Sequence, residues 1–97
     1  MRLPLYCSTA KGSKPNLVGL QHPALSSLPT QLVCPLRSDI SLTPLREKIL
    51  IADKEHVVAC DLIRPIHRKA LRPMGHLDPE TSARILATYL LILDQDD

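Results

Sequence analysis

The chain contains no phenylalanine and no tryptophan, and its 97 residues include only two tyrosines, Tyr6 and Tyr89. A core must then be built from Leu, Ile and Val. The aromatic platforms on which bases stack in RNA-recognition and single-strand-binding folds are nearly excluded. No apolar run reaches the roughly 18 residues that a membrane span needs. Met1-Arg2-Leu3-Pro4 lacks the apolar stretch and small-residue cleavage site of a secretory leader. The expectation is a cytoplasmic protein with no membrane partner.

Glycine is equally scarce. Gly12 stands alone in its loop, so a Walker or dinucleotide-binding phosphate loop is absent. Cys7, Cys34 and Cys60 are odd in number and widely spaced, with no Cys-x-x-Cys pair, which argues for reduced, buried thiols. His22, His56, His67 and His76 are scattered, and no spacing fits a zinc motif, so no metal or other cofactor is expected. A nucleophile elbow of the Gly-x-Ser-x-Gly kind is missing too.

What is present describes one folded domain over residues 1–97, with 44% hydrophobic and 23% charged residues. Charge is unevenly distributed. Residues 1–77 carry 11 Lys/Arg against 5 Asp/Glu, a net of +6, whereas residues 78–97 carry 1 against 5, a net of −4. A basic body with an acidic tail points to an anionic partner, nucleic acid first among them.

Short apolar segments alternate with proline-marked breaks. They predict strands over 3–8, 16–21, 31–36, 47–52 and 56–60, with one more inside 70–77. Residues 24–29 read as a loop or single helical turn, Asp53-Lys54-Glu55 as a hairpin connection, and residues 61–65 as a turn. Pro35 marks the end of the third strand. Such spacing is that of a small antiparallel barrel or sandwich spanning about residues 2–77. A helix is expected over about 79–93, with Asp78 as N-cap, Pro79 at the first position and Glu80 in the first turn. Ile85, Leu86, Tyr89, Leu90, Ile92 and Leu93 form its apolar face, and Leu91 falls opposite, beside Arg84 and Thr88. Residues 94–97 form an acidic tail that frays. The class is α+β, mainly β, and the helix must pack on the barrel, with dimerisation adding burial.

Phosphate-binding and proton-transfer groups collect in loops. Lys11, Ser13 and Lys14 flank Gly12, and Arg37-Ser38-Asp39 follows a strand. Asp61 and Arg64 flank a turn, while Arg68, Lys69 and Arg72 extend the positive surface. If the strands feeding these loops are neighbours, one edge holds cations for a phosphodiester and groups able to move a proton. Taken singly, each is a solvated loop, and Arg64-Pro65 and Arg72-Pro73 read as ordinary turn residues.

Four segments in this order resemble a known family. Gly12-Ser13-Lys14-Pro15-Asn16-Leu17-Val18 is similar to the Gly-His-Arg-Pro-Ala-Leu-Val pattern of the MazF/PemK toxins. The segment from Leu32 to Asp39 resembles their second motif, an apolar strand ending in Pro-Leu-Thr-Ser. Residues 57–66 resemble the strand and turn that come next. Gly75-His76-Leu77-Asp78-Pro79-Glu80-Thr81 resembles the start of their C-terminal helix. Gln21-His22-Pro23-Ala24-Leu25 and residues 30–36 are closer to the gyrase poisons of the CcdB type, which share the fold.

The resemblance implies an SH3-like barrel with a C-terminal helix, acting as a homodimer and as the toxin of a type II toxin–antitoxin pair. In the MazF branch, single-stranded RNA is cut without metal at specific sequences, as the ribose 2′-hydroxyl attacks the adjacent phosphate. Lys14, Arg37 and Ser38 are carried over as catalytic, and Lys11, Ser13, Asp61, Arg64, Arg68 and Lys69 as RNA-binding. Lys14 stands where the family has Arg, and Arg37 where it has Thr. A point charge thus replaces a bidentate fork, and Arg37 is expected to supply the guanidinium instead. The cognate antitoxin would lay an extended acidic segment over the basic edge. The alternatives are a CcdB-like inhibitor of DNA gyrase, or an inactive relative that only binds antitoxin or nucleic acid. The terminus Asp94-Gln95-Asp96-Asp97 departs from the apolar, aromatic end of the gyrase poisons.

Overall fold

A computed structural model of the chain describes residues 2–8, 14–20 and 27–93. Within them run β1 (Pro4–Ser8), β2 (Leu17–Gly19), β3 (Thr30–Arg37), β4 (Arg46–Ile51), β5 (Lys54–Ala59), β6 (Arg64–His67), β7 (Leu71–His76) and α1 (Pro79–Leu93). The strands are hydrogen-bonded in the order β4-β5-β3-β2-β1-β7, with β6 also on β3, and every pairing is antiparallel. The fold is therefore α+β and mainly β, one antiparallel sheet with one C-terminal helix. Among the described residues the ends of the path, β4 and β7, are not paired to each other.

Alternation along the strands gives the sheet two apolar faces. Leu3, Leu5, Val18, Cys34, Leu36, Ile49 and Val58 turn to one side and form the main core with Ile85 of α1. Leu17, Val33 and Leu71 turn to the other and form a smaller core with Tyr6 and Ile66. Cys7, Cys34 and Cys60 are all buried and form no disulfide among the described residues. The hydrogen bond between the Cys34 and Cys60 thiols, together with burial, pushes the Cys34 thiol well above its ordinary value.

Proline is where the sequence reading and the structure part. β3 does not stop at Pro35 but runs on to Arg37. The Leu20 amide donates to the Leu32 carbonyl and the Leu36 amide to the Asn16 carbonyl, so the even residues of β3 turn their backbone groups toward β2. Pro35 therefore turns its nitrogen the other way, at the point where the neighbour changes from β6 to β5. No ladder bond is lost. Residues 61–65, expected as a turn, divide into a 3-10 turn at Cys60–Leu62 and the start of β6. Pro65 lies opposite Leu32, whose backbone already faces β2, so the proline nitrogen points to the open side. Pro73 lies opposite Tyr6, whose carbonyl accepts from the Asn16 amide, and the same holds there. Arg64-Pro65 and Arg72-Pro73 are strand residues.

The β4–β5 connection is shorter than the expected 53–55. Ala52 and Asp53 make the turn alone, with φ of 50° and 65°. Two consecutive positive φ values are what a type I′ turn requires.

Helix α1 begins as its residues predict. Asp78 Oδ1 accepts from the Thr81 amide at 2.6 Å and Oδ2 from the Thr81 hydroxyl at 3.1 Å. The buried Ser82 hydroxyl accepts the Leu3 amide at 2.9 Å, which ties the first turn to the start of β1. The Thr88 hydroxyl donates to the Arg84 carbonyl at 3.1 Å and lies 3.4 Å from Glu47 Oε2, which ties the middle to β4. Leu86, Tyr89 and Ile92 pack on the main core as expected. Leu91 is exposed, also as expected, but so is Leu90, at 55%. At about 100° per residue Leu90 lies about 140° around the helix from Ile85, whereas Thr88 lies only about 60° away and is buried. The buried stripe is rotated toward Thr88. Among the described residues no helix is long and apolar enough to cross a membrane.

Candidate functional site

Register decides which loop residues meet. The β2–β3 pairing sets Leu17 opposite Pro35, and the Leu36–Asn16 bond continues it. Carried on in the same steps, it brings Lys14 opposite Ser38. On the other side of β3, Arg37 is opposite Val57, so the next pair is Ser38 with His56. Lys14, Ser38 and His56 thus form one row across three adjacent chain segments. Consistent with this, all three line a cavity of about 480 Å³, together with Ala52, Lys54 and Glu55.

The electrostatics of this cavity are set by unmatched cations. Glu55 is held by Lys48 at 2.9 Å, while Lys14 and Lys54 have no acidic partner among the described residues. Two ammonium groups and the Ser38 hydroxyl can hold the two non-bridging oxygens of a phosphodiester. His56 adds an imidazole whose Nδ1 lies 3.0 Å from the Lys54 carbonyl oxygen.

Arg37 is not in this row. Strand alternation gives it the face of Val33 and Pro35, away from Ser38, and it lines a second cavity of about 590 Å³ with Asn16, Asp61 and Arg64. The expectation that Arg37 stands in for the family guanidinium beside Lys14 therefore has its two residues in separate cavities. Asp61 is not free to act there either. The Arg46 guanidinium bonds both its carboxylate oxygens, Nε to Oδ1 at 3.1 Å and Nη2 to Oδ2 at 3.3 Å. That bond holds the Asp61 carboxyl below the usual aspartate range. Arg46 also donates to the Ser41 carbonyl at 3.0 Å and so anchors the loop before β4.

The remaining candidates divide by environment. Arg64 is exposed at the edge of the second cavity. Arg68 Nε donates to the Leu28 carbonyl at 2.6 Å, which commits this cation to fixing the chain ahead of β3. Lys69 is exposed on the turn between β6 and β7, its amide donating to His67 Nδ1 at 3.2 Å. Lys11 and Ser13 lie outside the described residues, as do 21–26 and the acidic tail 94–97. Two residues that matter here were not singled out as site candidates from sequence. Arg46 gave no signal, being one cation in a strand. His56 was one scattered histidine, and only the pairing of β5 with β3 gives it neighbours.

In sequence, no protein-family profile matches the chain, and no curated protein does so significantly. In structure it is similar to the toxin MazF-mt6 of Mycobacterium tuberculosis, with a TM-score of 0.77 at 17% identity over 97% of this chain and 99% of that one. An endoribonuclease in complex with its cognate antitoxin, from a mycobacterial species, gives 0.77 at 17% identity over 98% and 94%. The MazE–MazF structure from Deinococcus radiodurans gives 0.72 at 18% identity over 98% and 93%. In each case the match covers nearly the whole of both chains. The chain has the MazF/PemK-like fold.

Proposed function

We propose that this protein is the toxin of a type II toxin–antitoxin pair, a metal-independent, sequence-specific endoribonuclease acting on single-stranded RNA. The observation that carries the reading is the meeting of Lys14 and Ser38 in one cavity. Both belong to motifs that resemble the catalytic segments of MazF/PemK toxins, and the register brings them face to face although 23 positions separate them. Lys14 holds the phosphate as a point charge and Ser38 donates to a non-bridging oxygen. Arg37 and Arg64, around the second cavity, hold the RNA on either side of the scissile bond. Asp61 acts by holding Arg46 rather than by touching RNA. The sheet curls into an SH3-like barrel, two copies form the working dimer in the cytoplasm, and a cognate antitoxin with an acidic segment covers the basic edge.

The test is incubation of the purified chain with long single-stranded RNA in EDTA, beside Lys14→Ala. Discrete cuts that fall by about 100-fold or more in the variant are expected, the usual scale for a positioned electrostatic group. RNA left intact by the wild-type chain would instead direct attention to gyrase supercoiling or to binding alone.

A further inference from the structure

The cavity of Lys14 and Ser38 contains one group that the functional reading leaves without a task. His56 sits at its wall, half-buried. A carbonyl oxygen can only accept, so the 3.0 Å contact between His56 Nδ1 and the Lys54 carbonyl requires Nδ1 to carry the proton. In the neutral ring the lone pair is then on Nε2, for which no described residue is a partner. The contact is local to the hairpin, spanning two residues, and the Ala52-Asp53 turn that shapes the hairpin is itself in the left-handed region. The contact thus selects one tautomer of the neutral ring, the one whose lone pair on Nε2 is unused among the described residues.

We infer that His56 is the general base of this site, taking the 2′-hydroxyl proton of the RNA substrate, an assignment that rests on the ribonuclease reading above. In the row Lys14–Ser38–His56 the outer two are separated by two strand spacings of about 4.8 Å each, so base and cation stand on opposite sides of the space a phosphodiester would fill. An in-line displacement needs that arrangement. Nε2 takes the proton from the 2′-hydroxyl as O2′ forms its bond to phosphorus. The bond from phosphorus to O5′ breaks, and O5′ takes a proton from the Lys14 ammonium. The products are a 2′,3′-cyclic phosphate and a free 5′-hydroxyl, and exchange with water returns the proton from the imidazolium and restores the ammonium. Ser38, between the two, donates to a non-bridging oxygen throughout. The charged groups around the imidazole are Lys14 and Lys54, with Glu55 neutralised by Lys48.

The experiment is a pH–rate profile of RNA cleavage in EDTA for the wild-type chain, His56→Gln and His56→Ala, the last with and without added imidazole. For the wild type, kcat/KM should rise tenfold per pH unit along the acidic limb. His56→Gln should lose about 100-fold or more and flatten that limb, with thermal unfolding showing that it is folded. Imidazole should restore part of the His56→Ala rate, in proportion to its neutral form. Two outcomes would overturn the assignment while leaving the ribonuclease intact. One is a His56→Gln enzyme of wild-type rate. The other is a uniform loss at every pH with no imidazole rescue, the behaviour of a structural residue. A wild-type chain that leaves RNA uncut overturns both readings together.

Discussion

Gly19 shows how little room one side chain can have. A Cβ built there would come within 2.9 Å of the Pro4 ring and of the Tyr6 ring, and 2.8 Å from the Gln31 amide nitrogen. The glutamine can swing away, but the two rings are fixed by β1. Gly19→Ala is therefore expected to destabilise by about 1–3 kcal/mol, the range for an overpacked site, read as a lower urea midpoint at unchanged slope. The Gln31 amide nitrogen is buried with no hydrogen-bond partner among the described residues, so moving it breaks no bond and the two rings alone make the position unforgiving. At this level the sequence was legible where chemistry is local. Lys14 and Ser38 stood out because each lies in a motif. His56 and Arg46 did not, because a histidine or arginine in a strand acquires its meaning from the strand beside it. Gly19 likewise looked like any strand residue, and only the crossing of Pro4, Tyr6 and Gln31 over it makes a side chain impossible.

The helix was the most legible element, and its cap carries a pH dependence. The Thr81 amide, and then the Thr81 hydroxyl, hold the Asp78 carboxyl below its ordinary range. A depressed carboxyl stabilises the fold at pH values above its unfolded value, about 3.9. That contribution is lost as pH falls through the lower, folded value, because the unfolded chain takes up the proton first. Asp61 under Arg46 adds to the same acid limb. Asp78→Asn keeps a capping oxygen but cannot titrate, so its urea midpoint should fall less steeply than that of the wild type as the pH is lowered from about 5 to 2.5. The strands were legible by position and misjudged at their ends. Pro35 was read as the end of a strand, and Pro65 and Pro73 as turn residues, because proline removes a donor, and that reading assumes the donor faces a neighbour. In β3, β6 and β7 it does not, and which way a backbone nitrogen faces is fixed by pairing alone. The Ala52-Asp53 turn escaped for a related reason. Alanine is an unusual choice for positive φ, where Gly or Asn is preferred.

The assembled sheet separates the candidate residues that the sequence had grouped on one edge. Lys14 and Ser38 belong to the cavity with His56, while Arg37 and Arg64 belong to the one lined by Asp61. A strand of RNA running over both would meet cations in each, and the net of +6 over residues 1–77 would draw it there. Binding should accordingly weaken with salt by counterion release. For an uncleavable 2′-deoxy analogue, log K should fall linearly with log salt concentration, and each phosphate contact removed should shallow the slope by about 0.7. Fluorescence anisotropy on the wild-type chain and Arg64→Ala measures that difference. An unchanged slope would take Arg64 out of the interface.

The outward-facing prolines have a consequence for the chain in a crowded solution. An open strand edge offers a row of amides onto which a foreign strand can add, and repeated addition is how aggregates grow. Pro65 on β6 and Pro73 on β7 each leave a gap in such a row, since both turn their nitrogen away from the sheet. Growth by strand addition would have to skip a bond at each of them, so two residues that looked like interruptions help keep the edges of the folded sheet from becoming templates.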